Sequence, residues 1–197
     1  MLRPLPILQH PDPVLAMVCE PVTTFGFWLR GLAEHMLYTI NPECASATMC
    51  NDYNRAQGWP VQNYRIGVGL AAPQVGETIN LVVIAAPGFP EFAMVNPILE
   101  KHKGWKAGNE SCLSLMAAHG DVLRYTEITV SYQNLEGKLC RICAKDYQAR
   151  VIQHEMDHLM GIEFTDRIEE QNPIAWTKLA RDLVNRPEPL VLRNQQC

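Results

Sequence analysis

The chain has 197 residues, 47% of them hydrophobic and 19% charged, the balance of an ordinary globular protein able to bury a core within one domain. A formal net charge of −4 and a pI near 5.9 leave no electrostatic footprint for nucleic acid, and no cluster of lysine and arginine points to a membrane surface. No run reaches the roughly 18 apolar residues that span a bilayer, and Met1-Leu2-Arg3-Pro4 leads into prolines instead of a signal-like apolar stretch, so a soluble protein is expected.

Residues 7–15, interrupted by Pro11 and Pro13, read as an extended arm packed on the body. Thr24 is the expected N-cap of a first helix, on which Phe27, Trp28, Leu32, Met36 and Ile40 recur at helical spacing until Pro42 ends the pattern. Residues 41–64 show little periodicity and read as a long surface loop. From Gly67 the texture changes to short β-like runs at 81–84, 93–99 and 127–132, the last before a turn at Leu135-Glu136-Gly137-Lys138. Asp146 reads as the N-cap of a second helix, with Ala149, Val151, Ile152, Met156 and Leu159 as its apolar contacts and Gly161 closing it. A last helix is expected from Asn172-Pro173, so that 168–197 forms a C-terminal helix and tail. The whole is read as a single α+β domain over 1–197, with mixed or antiparallel sheets packed around the histidine-bearing helix. Seven irregularly spaced cysteines argue against a complete disulfide framework and for a reducing compartment. Cys140 and Cys143 read as two small apolar residues at a strand edge, with a zinc knuckle as the alternative.

The chemistry concentrates in His154-Glu155-Met156-Asp157-His158. At about 100° per residue the two histidines leave the helix from nearly one azimuth, close enough to share a cation, with a glutamate beside it to handle protons. Catalytic sites of this kind use three protein ligands and keep one position for water, so a third ligand is needed. Phe164 stands where the longer zincin pattern has its third histidine, which closes that route. Two routes stay open: a downstream glutamate among Glu163, Glu169, Glu170 and Glu188, or the thiolate of Cys112 in Asn109-Glu110-Ser111-Cys112-Leu113-Ser114-Leu115. A third element, Gly67-Val68-Gly69-Leu70-Ala71-Ala72-Pro73-Gln74, has glycines that let backbone come close to something and one amide after a proline. It lacks the third glycine of a dinucleotide loop and the lysine of a P-loop.

In this order, the stretches 67–74, 110–114 and 153–159 resemble the GxGLAAPQ, EGCLS and QHExDHL motifs of the peptide deformylase family. Weaker likeness runs from 7 to about 167 and includes Met94-Val95-Asn96-Pro97. The resemblance implies removal of the N-formyl group from the initiator methionine of newly made polypeptides, with release of formate. Matched residue by residue, Cys112, His154 and His158 are the metal ligands and Glu155 the catalytic acid/base, with metal-bound hydroxide as the nucleophile. Gln74, through its side-chain amide, and Leu113, through its backbone N–H, match the oxyanion donors, a kind of interaction worth about 2.7–4 kcal/mol each. Val68, Gly69, Gly108, Tyr147 and Val151 match the substrate-binding positions, and Arg124 matches a family arginine expected to pair with Glu110 or Asp157. The implied cofactor is one divalent ion, Fe2+ natively with Zn2+, Ni2+ or Co2+ as substitutes. The implied partners are N-formylmethionyl nascent peptides and, transiently, the ribosome.

Four departures from the family pattern bear on substrate handling: Ser111 for the usual glycine, His119 for arginine, Leu123 for proline, and the length of 41–64. Gln148-Ala149-Arg150-Val151-Ile152-Gln153 looks more like organellar and some bacterial members, which leans the expected location to an organelle matrix over a bacterial cytoplasm. A peptidase built on His154 and His158 would need neither Cys112 nor the 67–74 stretch. An inactive relative holding a structural metal would be expected to lose Glu155 or to add a fourth ligand.

Overall fold

The computed structural model describes residues 4–40, 67–86 and 90–170. The loop expected over 41–64 and the helix expected from Asn172 lie outside the described residues. Within them, β1 (Gly69–Ala71), β2 (Leu81–Ile84), β3 (Phe92–Lys103), β6 (Glu127–Gln133) and β7 (Leu139–Lys145) form one sheet in that order, each neighbour antiparallel to the next. Among the described residues, strands β4 (Lys106–Cys112) and β5 (Leu115–Arg124) pair only with each other, as an antiparallel hairpin. Three α-helices, α1 (Phe27–Ile40), α2 (Asp146–His158) and α3 (Phe164–Glu170), and two 3-10 turns, Pro13–Ala16 and Ala72–Val75, complete the described elements. None is long and apolar enough to cross a membrane.

The period of two along a strand divides the core. Leu81 and Val83 of β2 join a cluster with Leu29, Ala33, Met36 and Ile40 of α1, whereas Val82 and Ile84 join Ala149, Ile152 and Met156 of α2. Because helices cover both faces of β2, its sequence is an unbroken apolar run, Leu-Val-Val-Ile, and all four residues are buried. Fully burying such a side chain contributes about 1.5–3 kcal/mol, so this three-layer packing holds α2 firmly against the sheet.

The face buried by α1 is the expected one at Leu32, Met36 and Ile40 but not at its first turn. Leu29, Ala33, Met36 and Ile40 are buried, whereas Phe27 and Trp28 are 93% and 57% exposed. Trp28 and Phe27 lie about 100° and 200° around the helix from Leu29, so a stripe containing the sheet-facing Ala33 cannot contain them. The helix also starts later than expected: the Gly26 carbonyl accepts from Arg30 N–H at 3.1 Å, which makes Gly26 the cap instead of Thr24. Strands β1, β4 and β5 were not expected, and β7 only as the strand edge at Cys140 and Cys143. The hairpin sequences Lys106–Cys112 and Leu115–Arg124 are polar or glycine-bearing, and mutual pairing rather than intrinsic propensity makes them strands.

Helix α2 begins at Asp146 itself, with Lys145 in the cap position and no side-chain cap bond. Asp146 has a left-handed φ of 48°, and its N–H donates to Thr126 O at 2.7 Å. Gly161 closes the helix as expected: its φ is 67°, and Ile162 N–H returns to Asp157 O at 3.1 Å, the long bond of a Schellman cap. Cys140 and Cys143 lie on β7, at an edge of the described sheet as expected; Cys140 is a free thiol and Cys143 is disulfide-bonded, so the pair is not two simple apolar residues. A Cβ added at Gly161 would meet Ala16 O at 2.4 Å, and the left-handed backbone alone costs a side chain about 1–3 kcal/mol. Gly161→Ala is therefore expected to lower unfolding free energy by at least about 1 kcal/mol in urea titration, and an unchanged midpoint would contradict this account of the helix end.

Candidate active site

Helix α2 places the His154 and His158 rings edge to face, their centroids 5.1 Å apart. Cys112, at the end of β4, comes from the other side. A bulge between Ser111 and Cys112 shifts the register of the hairpin there, and Cys112 Sγ lies 3.2 Å from His158 Nε2. One ligand atom from each of Cys112, His154 and His158 falls within 4.8 Å of the others, and no other described group of three histidine, cysteine or acidic residues is placed this way. Among the downstream glutamates, Glu163 is bonded to His10 at 2.7 Å and stands outside the cluster. Phe164, at the position of the missing third histidine, is buried and stacks on His154 with centroids 6.2 Å apart.

Every residue from Val151 to His158 is buried, so five polar side chains of α2 must find partners inside the protein or lose their hydration without compensation. Gln153 satisfies itself on the Tyr125 backbone, accepting from its N–H at 3.0 Å and donating to its carbonyl at 2.9 Å. His154 donates from Nδ1 to Glu110 Oε2 at 2.9 Å, which leaves Nε2 for the thiol side. Arg124 meets Glu110 as a fork, Nε to Oε1 at 2.9 Å and Nη2 to Oε2 at 2.8 Å, and its Nη1 donates to Asp157. The expected choice between Glu110 and Asp157 is thus not a choice, because Arg124 takes both. Asp157 also receives Arg167 from α3, through Nε at 3.1 Å and through Nη2.

These contacts decide the charge states. Burial alone would raise the Glu110 carboxyl, but hydrogen bonds from Arg124 and His154 hold it well below the usual carboxylate range. Burial alone would lower His154, but hydrogen bonds to Cys112 and Glu110 hold it well above the ordinary imidazole value. His158 is pushed well below that value by burial and then by the charges of His154 and Arg124. Burial raises the Glu155 carboxyl to about 7, and its Oε2 has no hydrogen-bond partner among the described residues.

A cavity of about 200 Å³ opens onto this cluster. Of the residues singled out in the sequence, Val68, Gly69, Gln74, Cys112, Leu113, Tyr147, Val151, His154 and Glu155 line it; His158 lies behind, 1% exposed, and Gly108 is not in the lining. Gly69 admits the general-base candidate: a Cβ there would sit 2.5 Å from Glu155 Oε1. Gln74 sits in a 3-10 turn that follows β1. Its Oε1 accepts from Ala71 N–H at 2.8 Å, which turns Nε2 towards Cys112 Sγ at 3.4 Å and Ser114 Oγ at 3.2 Å. The N-terminal arm stitches these turns together, Leu8 N–H to Gln74 O at 2.8 Å and His10 N–H to Ser114 O at 2.8 Å. Ser111 lies in β4, and positive φ among described non-glycine residues is confined to Asn96 and Asp146, so its replacement of glycine strains nothing. His119 and Leu123 are exposed on β5, away from the cavity lining. The sequence reading missed Gly67, Asn109, Ser111 and Arg150 as lining residues; the signal for Arg150 was its place one helical turn before His154.

Comparison with known proteins gives one family. The family model described as polypeptide deformylase matches residues 4–173. The peptide deformylase of Acidobacterium capsulatum is 34% identical over 191 residues, covering 94% of this chain and 93% of the relative. The crystal structure of peptide deformylase from Thermotoga maritima superposes with a TM-score of 0.69 at 32% identity, over 84% of this chain and 97% of that one. A Met-Ala-Ser bound crystal structure of a class I type b peptide deformylase from Acinetobacter baumannii gives 0.68 at 28% identity, over 85% and 99% of the two chains.

Removing one member of a buried ion network takes a cation from each of its partners. Arg124→Ala leaves Glu110 and Asp157 each short of a cation, and breaking a buried pair in this way costs about 3–5 kcal/mol. The loss is read from urea unfolding of the variant beside wild type, and an effect within about 0.5 kcal/mol, as for an ordinary surface residue, would contradict the network.

Proposed function

The chain belongs to the polypeptide deformylase family, hydrolases that remove the N-formyl group from newly made polypeptides, and from that premise we propose that the cavity is its deformylation site. In this reading Cys112, His154 and His158 hold one divalent metal ion. The donor set fits such an ion: one thiol and two imidazoles whose ligand atoms already lie within 4.8 Å, three protein ligands that leave a further position open. Sulfur with imidazole nitrogen suits Fe2+, Zn2+, Ni2+ or Co2+, and the family likeness favours Fe2+ with Zn2+ as substitute. When bound, the ion lowers the pKa of water towards neutrality and polarises the formyl oxygen.

The remaining work falls to side chains and backbone. Glu155 takes the proton from the attacking water and returns it to the departing amine nitrogen; a carboxyl raised to about 7 by burial accepts and releases a proton readily near neutral pH. The tetrahedral oxyanion is met by Gln74 Nε2 and Leu113 N–H, and the Ala71 bond to Gln74 Oε1 presents the donor end of the amide in advance. Strand β1 is an edge strand among the described residues, so a peptide can add alongside Gly69 while its methionine enters between Val68, Tyr147 and Val151. The tripeptide bound to the Acinetobacter baumannii relative supports a peptide in this cavity. Gly108, outside the lining, is not carried into the substrate set. The observation that carries the reading is the joint placement of the buried cysteine-histidine cluster and the Glu155 carboxylate, tight against Gly69, in one cavity.

Formate release from a formyl-methionyl tripeptide, with protein prepared without oxygen and loaded with Fe2+, tests this directly. Glu155→Ala is expected to lose about 10²–10⁴-fold in kcat, and chelation to abolish release until Fe2+ is restored. No formate from folded, metal-loaded wild type would sink the reading. Gln74→Ala is expected to reduce kcat by about 10²–10³-fold, and a variant that changed only KM would remove Gln74 from the oxyanion site.

A further inference from the structure

Arg150 has no part in the site described so far except as a wall of the cavity, yet its guanidinium spans the gap between α2 and the β4–β5 hairpin. Its Nη1 donates to Gly108 O at 3.1 Å, to Val122 O at 2.8 Å and to Glu110 Oε1 at 2.7 Å, and its Nη2 donates to Lys106 O at 2.7 Å. One side chain of the helix thus holds carbonyls on both strands of the hairpin together with the carboxylate that orients His154. Gly108 is what lets it in: a Cβ there would lie 2.9 Å from Arg150 Nη2 and 3.0 Å from Cζ.

The hairpin needs such a tether. It is not hydrogen-bonded into the five-stranded sheet, and an isolated two-stranded hairpin is marginal in water. Its apolar anchorage is a small cluster in which Cys112, Val122 and Phe164 are the buried members. Cys112 rides on this hairpin, whereas His154 and His158 ride on α2. Whatever fixes the hairpin to the helix therefore fixes the thiol against the imidazoles. Arg124 serves mainly within the hairpin, from β5 to Glu110 on β4, and reaches α2 only through Asp157.

We propose that Arg150 is a positioning residue, a clamp that sets Cys112 at its distance from His154 and His158, with Gly108 as the slot that admits it. The proposal rests on the ligand set proposed above. The arrangement uses both terminal nitrogens of the guanidinium: a lysine ammonium supplies the charge but carries three donors on one nitrogen and cannot meet all four acceptors.

The test titrates Co2+ into metal-free, reduced wild type, Arg150→Met, Arg150→Lys and Gly108→Ala, following the thiolate-to-cobalt band in the near ultraviolet and chelator competition. Unfolding of each metal-free form is measured in parallel. Arg150→Met is expected to bind Co2+ about 10–100-fold more weakly, with the thiolate band reduced relative to the visible cobalt bands. Arg150→Lys is not expected to rescue it, and Gly108→Ala is expected to shift in the same direction. If Arg150→Met does not fold, Arg150→Lys, which keeps stem and charge, decides. Wild-type affinity and an unchanged thiolate band in the folded variants would overturn the clamp alone. A wild-type protein with no thiolate band would overturn the ligand set, and the clamp with it.

Discussion

The buried carboxylate of Glu110 receives four hydrogen bonds, two from Arg124 and one each from Arg150 and His154, and the rest of the site is arranged around that demand. A carboxylate taken out of water needs this number of donors to stay ionised, and the donors it collects come from separate elements: β5, the start of α2 and the middle of α2. Neutralising one charge thus joins hairpin to helix and sets the tautomer of His154. Asp157 repeats the arrangement one turn along, between Arg124 and Arg167, and brings α3 into the same network. The polar interior of α2 is stable as a connected whole, not as a set of separate pairs.

Around this network, among the described residues, one carboxylate is buried but not neutralised. Glu155 lies between charged neighbours, with one oxygen against Gly69 and the other without a partner among the described residues. Burial that would destabilise a structural acid here keeps the group near neutral pH in its proton affinity, as acid/base chemistry requires. In the proposed reading the contrast between Glu110 and Glu155 divides labour: one holds a ligand, the other moves protons. Gly69 and Gly108 make matching contributions, each omitting a Cβ so that a charged side chain of α2 can approach a strand.

Sequence reasoning met its limits where neighbours in space decide. The stripe on α1 holds at Met36 and Ile40 but not at Phe27 and Trp28, because the sheet takes the side with Leu29 and Ala33, where close approach favours a small residue. The hairpin strands carried no propensity signal because each is made by the other. Asp146 looked like a cap from its residue type, yet the chain enters the helix through a left-handed residue whose N–H is already held by Thr126. Gly108, expected in a substrate pocket, stands outside the cavity lining, and its bare backbone admits Arg150.

What the sequence by itself determined is what repeats along the chain at short range. The spacing of His154 and His158, the glutamate between them, the left-handed stop at Gly161 and the apolar run of β2 all follow from helical and strand periods that hold wherever those residues fold. Residue type and spacing leave open which residue comes to the helix beside the histidines, since loop closure can bring any of several there. Only the tertiary structure places Cys112 against His154 and His158 and builds the four-donor shell of Glu110 and the bridge from Arg150 to the hairpin. Those contacts join residues more than ten positions apart, and their existence depends on which elements pack together, a quantity that no local period encodes.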